Sequence, residues 1–76
     1  MKEVMKEFVI RTYGRTELAQ LYSPELTRQS AFRRLDVWIR RYPGLLQQMY
    51  ASGYRDKCRV YSPLVVQVIV NALGEP

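Results

Sequence analysis

Thr27-Arg28-Gln29-Ser30-Ala31-Phe32-Arg33-Arg34-Leu35-Asp36-Val37-Trp38-Ile39-Arg40-Arg41 is the stretch whose reading decides the fold. At 100° per residue, Ala31, Phe32, Leu35, Trp38 and Ile39 fall within an arc about 120° wide. Gln29, Arg33, Val37 and Arg40 lie opposite, flanked by Asp36 on one side and Arg34 and Arg41 on the other. One helix therefore offers an apolar stripe to a core and a basic face to the outside. Thr27 is placed to cap it, because its hydroxyl can accept an N–H left unpaired in the first turn.

Working toward the N-terminus, Leu18, Ala19 and Tyr22 fall at helical spacing and predict a first helix from Arg15 to Tyr22. Ser23–Pro24 ends it, since the residue before a proline is pushed out of helical geometry. Glu7–Tyr13 mixes β-branched and aromatic residues and predicts a short strand, broken at Gly14.

Working toward the C-terminus, Pro43 suits a first helical position. Leu45, Leu46, Met49 and Tyr50 form the apolar side of a third helix reaching Ser52, with Gly53 as its stop. A charged turn, Arg55–Asp56–Lys57, leads to a second strand, Cys58–Tyr61. Ser62–Pro63 then reads as an N-cap followed by a first-turn proline, opening a last helix that Gly74 ends. The predicted order is β-α-α-α-β-α. This is a mostly helical α+β domain of winged helix-turn-helix type, with a two-stranded antiparallel ribbon that must pack on the helices to be stable. Residues 1–6 read as a loose tail and residues 7–76 as a single domain, the size that 76 residues allow.

Composition narrows the chemistry. Hydrophobic residues at 47% and charged residues at 25% suit a chain with a packed core rather than a disordered one. The apolar run Leu64–Val65–Val66 is broken at Gln67, too short for a membrane span. Met1–Lys6 is charged and no long apolar run follows, so no secretory signal is read there. Cys58 is the one cysteine and there is no histidine, which fits a reducing cytoplasm. Zinc and most transition metals lack their usual ligands, and the Ser-His and Cys-His nucleophile pairs are excluded. A non-catalytic binding protein without cofactor or small-molecule substrate is the expectation.

The net charge of +5 is unevenly placed. Four basic and four acidic residues cancel over residues 1–26. Residues 27–42 carry Arg28, Arg33, Arg34, Arg40 and Arg41 against Asp36, and residues 54–61 carry Arg55, Lys57 and Arg59 against Asp56. Every basic residue of the central helix is arginine, whose planar fork of donors matches phosphate oxygens and the O6/N7 edge of guanine.

The residues Tyr13-Gly14-Arg15-Thr16-Glu17-Leu18-Ala19 resemble the first helix of mercury-resistance-regulator and excisionase-type winged helices. Arg59-Val60-Tyr61-Ser62-Pro63 looks like the segment that closes the wing of those proteins. The chain departs from them in its longer Ser23–Leu26 connection and in its third helix. A wider pattern resembles a family of short uncharacterised proteins from gut Bacteroidetes, classed as a domain of unknown function. It comprises Ile10-Arg11-Thr12-Tyr13-Gly14, Glu17-Leu18-Ala19, Leu21-Tyr22, Pro24, Ser30-Ala31, Arg34-Leu35, Trp38-Ile39, Ser62-Pro63 and Leu73-Gly74-Glu75-Pro76. That resemblance implies the fold and a bacterial, cytoplasmic setting, and no activity.

These readings converge on DNA as the partner. Arg28, Gln29, Arg33 and Arg40 are the candidates for groove contacts, and Arg34, Arg41, Arg55 and Lys57 for phosphate contacts. The competing reading is that the arginines form a solvated face, locally paired through Arg33–Asp36 and Asp36–Arg40. The last helix raises another alternative. Its apolar side spans about 200°, wider than one core usually needs. The surplus would serve as a homodimer face over Val65–Leu73, or dock a protein partner through Val66 and Val70. Trp38 and Cys58 are expected in the core. RNA stacking on Tyr42 and Tyr54, the two tyrosines expected to be exposed, is a further possibility.

Overall fold

The computed structural model of the chain describes residues 8–76. The expected N-terminal tail and the first residue of the expected first strand lie outside the described residues. Six elements follow in the expected order: β1 (Tyr13–Gly14), α1 (Arg15–Tyr22), α2 (Arg28–Arg41), α3 (Leu45–Ala51), β2 (Val60–Tyr61) and α4 (Pro63–Leu73). The fold is α+β and mostly helical, with one two-stranded antiparallel ribbon, and its layout is compatible with a winged helix-turn-helix.

Local chemistry sets the ends of the helices. The Thr27 hydroxyl accepts from the Ser30 amide at 3.2 Å, opening α2. Ser62 does the same for α4, accepting from the Val65 amide at 3.3 Å with Pro63 in the first turn. At α1 the Gly14 amide donates to Glu17 Oε1 at 3.0 Å, half of a capping box. This bond and the Arg11 guanidinium hold the Glu17 carboxyl below its ordinary pKa. Between α1 and α2 the chain turns tightly: the Leu26 amide donates to the Ser23 carbonyl at 3.1 Å, with Ser23 itself buried.

Every helix contributes to one core. Leu18 and Ala19 of α1 face Ala31, Leu35 and Ile39 of α2 across the most extensive helix–helix contact of the molecule. Leu45 and Met49 of α3 and Val65, Val66 and Ile69 of α4 complete it. The ribbon closes the core with its two tyrosines, paired in register as Tyr13 with Tyr61 and Gly14 with Val60.

Both strands are shorter than the sequence suggests. In place of Glu7–Tyr13, strand pairing begins at Tyr13, because the partner offers only Val60 and Tyr61. The residues ahead are held by side chains instead: Phe8 stacks on Tyr13 at 5.3 Å, and the Tyr13 hydroxyl donates to the Val9 carbonyl at 2.7 Å. In place of Cys58–Tyr61, the second strand starts at Val60, since the Cys58 amide is taken by the Arg55 carbonyl at 2.9 Å. Pro43 does not open α3. It sits with Gly44 in a turn whose Leu45 amide donates to the Tyr42 carbonyl at 3.1 Å. Gly44 at φ 79° and ψ −5° matches the third position of a type II turn, where glycine is favoured, and the helix begins one residue later.

Burial corrects three further expectations. Tyr54 is not exposed: it lies buried between Tyr50 and Tyr61, with ring centroids 6.1 and 5.5 Å away. Cys58, expected to be buried, is only half-buried at the margin of the core, whereas Trp38 packs against the core as expected with part of its surface still exposed. Val66 is fully buried and so offers nothing to a docking partner, while Val68, Val70, Ala72 and Leu73 pack partly against the core. Within α4 only Leu64 is a strongly exposed large apolar residue, so most of the breadth of that helix is used inside the chain.

Replacing Leu35 by alanine removes a side chain with 1% exposure from the centre of this core and should cost about 2–5 kcal/mol. Loss of the Ser62 cap by alanine substitution should cost about 0.5–2 kcal/mol. Urea denaturation of the two variants should rank them in that order. Glu17 gives a pH signature. Because its folded-state pKa is depressed, its contribution is complete above the ordinary glutamate value and is lost as pH falls through the folded value. The stability gap between wild type and Glu17→Gln should therefore narrow as pH falls from about 5 to about 3. Its size stays well below about 1 kcal/mol, since the Arg11–Glu17 pair is solvent-exposed.

Candidate nucleic-acid interface

Six of the eight sequence-predicted contact residues sit on α2 and all eight are exposed. Their surroundings divide them. Arg34 Nη1 donates to Glu25 Oε2 at 3.0 Å, and its guanidinium carbon lies 5.1 Å from the Trp38 ring centroid. Arg40 Nε donates to Asp36 Oδ2 at 2.9 Å. That hydrogen bond and the Asp36 charge raise the Arg40 pKa, with smaller contributions from Tyr50 and Asp56. Asp36 pairs with Arg40 and not with Arg33. Arg28, Arg33 and Arg41 make no side-chain hydrogen bond or ion pair among the described residues. Gln29 is likewise unengaged.

Part of this placement serves the helix. Arg40 and Arg41 stand in the last turn of α2, where a cation is favourable against the partial negative charge of the unpaired carbonyls. Arg28 stands at the other end, where the sign is wrong, and no acidic residue occupies that first turn.

The remaining two predicted contacts lie on the segment between α3 and β2. Arg55 turns inward: its Nη1 donates to the Tyr50 carbonyl at 3.1 Å and the Tyr54 carbonyl at 2.7 Å. Nη1 is thus used in shaping the segment, while Nε and Nη2 of this exposed side chain make no hydrogen bond among the described residues. Lys57 is exposed and unpaired among the described residues, and so is the side chain of Arg59, which strand reading of the sequence passed over. The basic cluster of residues 54–61 was the signal that included it.

This segment is fastened to the body at several points. Arg15 Nη1 donates to the Tyr54 hydroxyl at 3.2 Å and to the Asp56 carbonyl at 3.3 Å. The Tyr54 bond raises the Arg15 pKa against the opposing effect of burial. The Arg15 guanidinium also lies over Phe32 of α2, 4.9 Å from the ring centroid. Tyr50 donates to Asp56 Oδ1 at 2.8 Å, and that bond raises the Tyr50 pKa. The basic segment is thus anchored through Arg15 to the Phe32 side of α2, adjoining the edge that carries Asp36 and Arg40.

On a different side of the molecule, Phe8, Val9, Arg11, Tyr13, Glu17, Leu21 and Pro76 line a hollow of about 540 Å³. No α2 residue contributes to it. Its polar groups include the Arg11–Glu17 pair at 3.1 Å, with Arg11 lying 3.8 Å from the centre of the Tyr13 ring. Nearby, Tyr22 donates to the Gly74 carbonyl, and burial together with the charge of Glu75 pushes its pKa up to about 12. Among the described residues no three His, Cys, Asp or Glu side chains are grouped to hold a metal ion. No helix there is long and apolar enough to cross a membrane.

The arrangement defines a small, mostly helical α+β domain with a basic helix face and an anchored basic segment beside it. The chain belongs to the family described as a domain of unknown function (DUF4248), whose model matches residues 9–76. No curated protein and no solved structure matches the chain.

Removing the Tyr54 hydroxyl should loosen the basic segment without unfolding the domain. In Tyr54→Phe the Cys58 amide should exchange with solvent about fivefold faster than in wild type, the effect of one net hydrogen bond. Hydrogen exchange read by NMR tests this, with the Leu35 and Ile69 amides as the unchanged reference.

Proposed function

We propose that this is a non-catalytic DNA-binding domain of winged helix-turn-helix type, acting in the cytoplasm of a bacterial cell. The observation that carries the reading is the outward face of α2. Arg33, Arg41 and Gln29 are exposed there and unpaired among the described residues, beside a segment that presents Lys57 and Arg59. Helix α2 enters the major groove, and the Ser52–Arg59 segment contacts flanking phosphates.

The roles of individual residues follow from their present partners. Arg33 and Gln29 are free to reach base edges, while Arg28, Arg41, Lys57 and Arg59 meet phosphates. Arg34 and Arg40 are held by exposed, solvent-screened ion pairs, which a phosphate can displace. Arg55 shapes the segment through Nη1 and keeps Nε and Nη2 for a flanking phosphate. Arg28 adds an independent argument: a cation in the first turn opposes the helix dipole, and an anionic partner removes that penalty.

Fluorescence anisotropy of a labelled random-sequence duplex tests the reading. Micromolar binding is expected at low salt, weakening on a log–log plot with a slope of about −4 to −5 if about five phosphates are neutralised. Arg33→Glu should weaken binding at least about tenfold with an unchanged circular dichroism spectrum. Absence of binding at low salt would leave the arginines as a solvated face.

A further inference from the structure

Val37 takes no part in the core that the described residues form. It is 45% exposed on the side of α2 opposite the core, and the residues one turn away in either direction are Arg33, Arg34, Arg40 and Arg41. A β-branched residue at an exposed helical position gives up helix propensity and gains no packing in return. An apolar protein partner seated on it would have to desolvate the surrounding guanidinium groups, which is costly without paired anions. The major groove offers the matching chemistry. The thymine 5-methyl is an isolated apolar group surrounded by base acceptors and phosphates.

Resting on the DNA-binding reading, we propose that Val37 reads bases by packing on the 5-methyl of a thymine. In this arrangement Arg33, one turn before it, contacts a guanine edge, and Arg41, one turn after it, contacts the backbone. Both arginines are free to do so, whereas Arg34 and Arg40 are turned aside toward Glu25 and Asp36. Four residues of helix rise span about 6 Å, close to two base-pair steps. The guanine therefore lies within about two steps of the thymine.

The test begins by enriching duplexes from a randomised library on the full chain. Single thymines of the enriched duplex are then replaced by deoxyuridine, which removes only the methyl group, and nearby guanines by 7-deazaguanine, which removes the N7 acceptor. One thymine should weaken wild-type binding about fourfold on loss of its methyl, the effect of one buried methyl group. In Val37→Ala the same replacement should have little effect, and Arg33→Gln should lose sensitivity to 7-deazaguanine within two steps of that thymine. Val37 is surface-exposed, so its alanine variant should keep the wild-type circular dichroism spectrum. The inference is overturned if the enriched duplex is indifferent to every methyl removal, or if Val37→Ala remains as sensitive as wild type. Salt-dependent binding of random duplex without any enrichment also overturns it while leaving DNA binding intact. Absence of binding to any duplex at low salt ends both.

Discussion

Tyr13 and Tyr61, paired across the ribbon, join the residues just before α1 to those just before α4 and so close the chain around its core. Bringing such distant residues together costs roughly 3–4 kcal/mol of chain entropy. Two strand residues on each side give too few backbone bonds to hold alone. The offset comes from burying both tyrosine rings, at 4% and 1% exposure, against the helices. Each ring removes about 150–250 Å² from water, worth a few kcal/mol. Burial also pushes the Tyr61 phenol pKa up, so that ring stays neutral in its site. With the ribbon closed, the Arg15 amide meets the Arg59 carbonyl at 3.1 Å, and the Arg15 side chain reaches Tyr54 and Asp56. The closure that completes the core thereby also fixes the basic segment beside α2.

The arginines divide the same way. Arg15 and Arg55 use their donors on carbonyls and a tyrosine hydroxyl, where a planar group with several N–H bonds can fasten a segment that has little regular structure. Arg34 and Arg40 sit beside carboxylates on the two edges of α2. Arg28, Arg33 and Arg41 occupy neither kind of environment. A basic composition alone does not distinguish these groups. Their neighbours do.

The helices were legible in the sequence because periodicity and capping are local. Thr27, Ser62 and Pro63 act on amides within their own first turn, and the α2 stripe repeats with the helix period. The strands were overextended because their length depends on a partner far away in the chain, which β-branched and aromatic residues upstream of Tyr13 do not report. Pro43 misled for a related reason. Proline fits a helix start and a type II turn equally well, and the positive φ of Gly44 decides between them. Tyr54 looked exposed because it follows a glycine and precedes three charged residues, yet Tyr50, Tyr61 and Arg15 converge on it from separate elements. On the basic face, the position of each arginine was readable and its partner was not always. Asp36–Arg40 follows from helix spacing, whereas Glu25–Arg34 and the inward turn of Arg55 arise only once the connecting segments are folded.

A basic helix face kept only for solubility and stability would be built differently. Residues four apart on a helix support each other when their charges are opposite, by about 0.2–0.5 kcal/mol per pair. A glutamate at position 37 would be four residues from both Arg33 and Arg41 and would serve both; the chain has valine there. Position 29, four residues before Arg33, holds a neutral glutamine. The one acidic residue of the helix, Asp36, is committed to Arg40. The positions that would neutralise Arg33 and Arg41 are thus occupied by side chains that leave them charged and uncompensated, on a small domain that already carries +5. Self-repulsion of that kind lowers the stability of a compact state, and an anion bound to the folded chain alone restores it through linkage. The arginines left unpaired among the described residues therefore gain nothing for the stability of the isolated helix, and that is the physical ground for proposing an anionic partner.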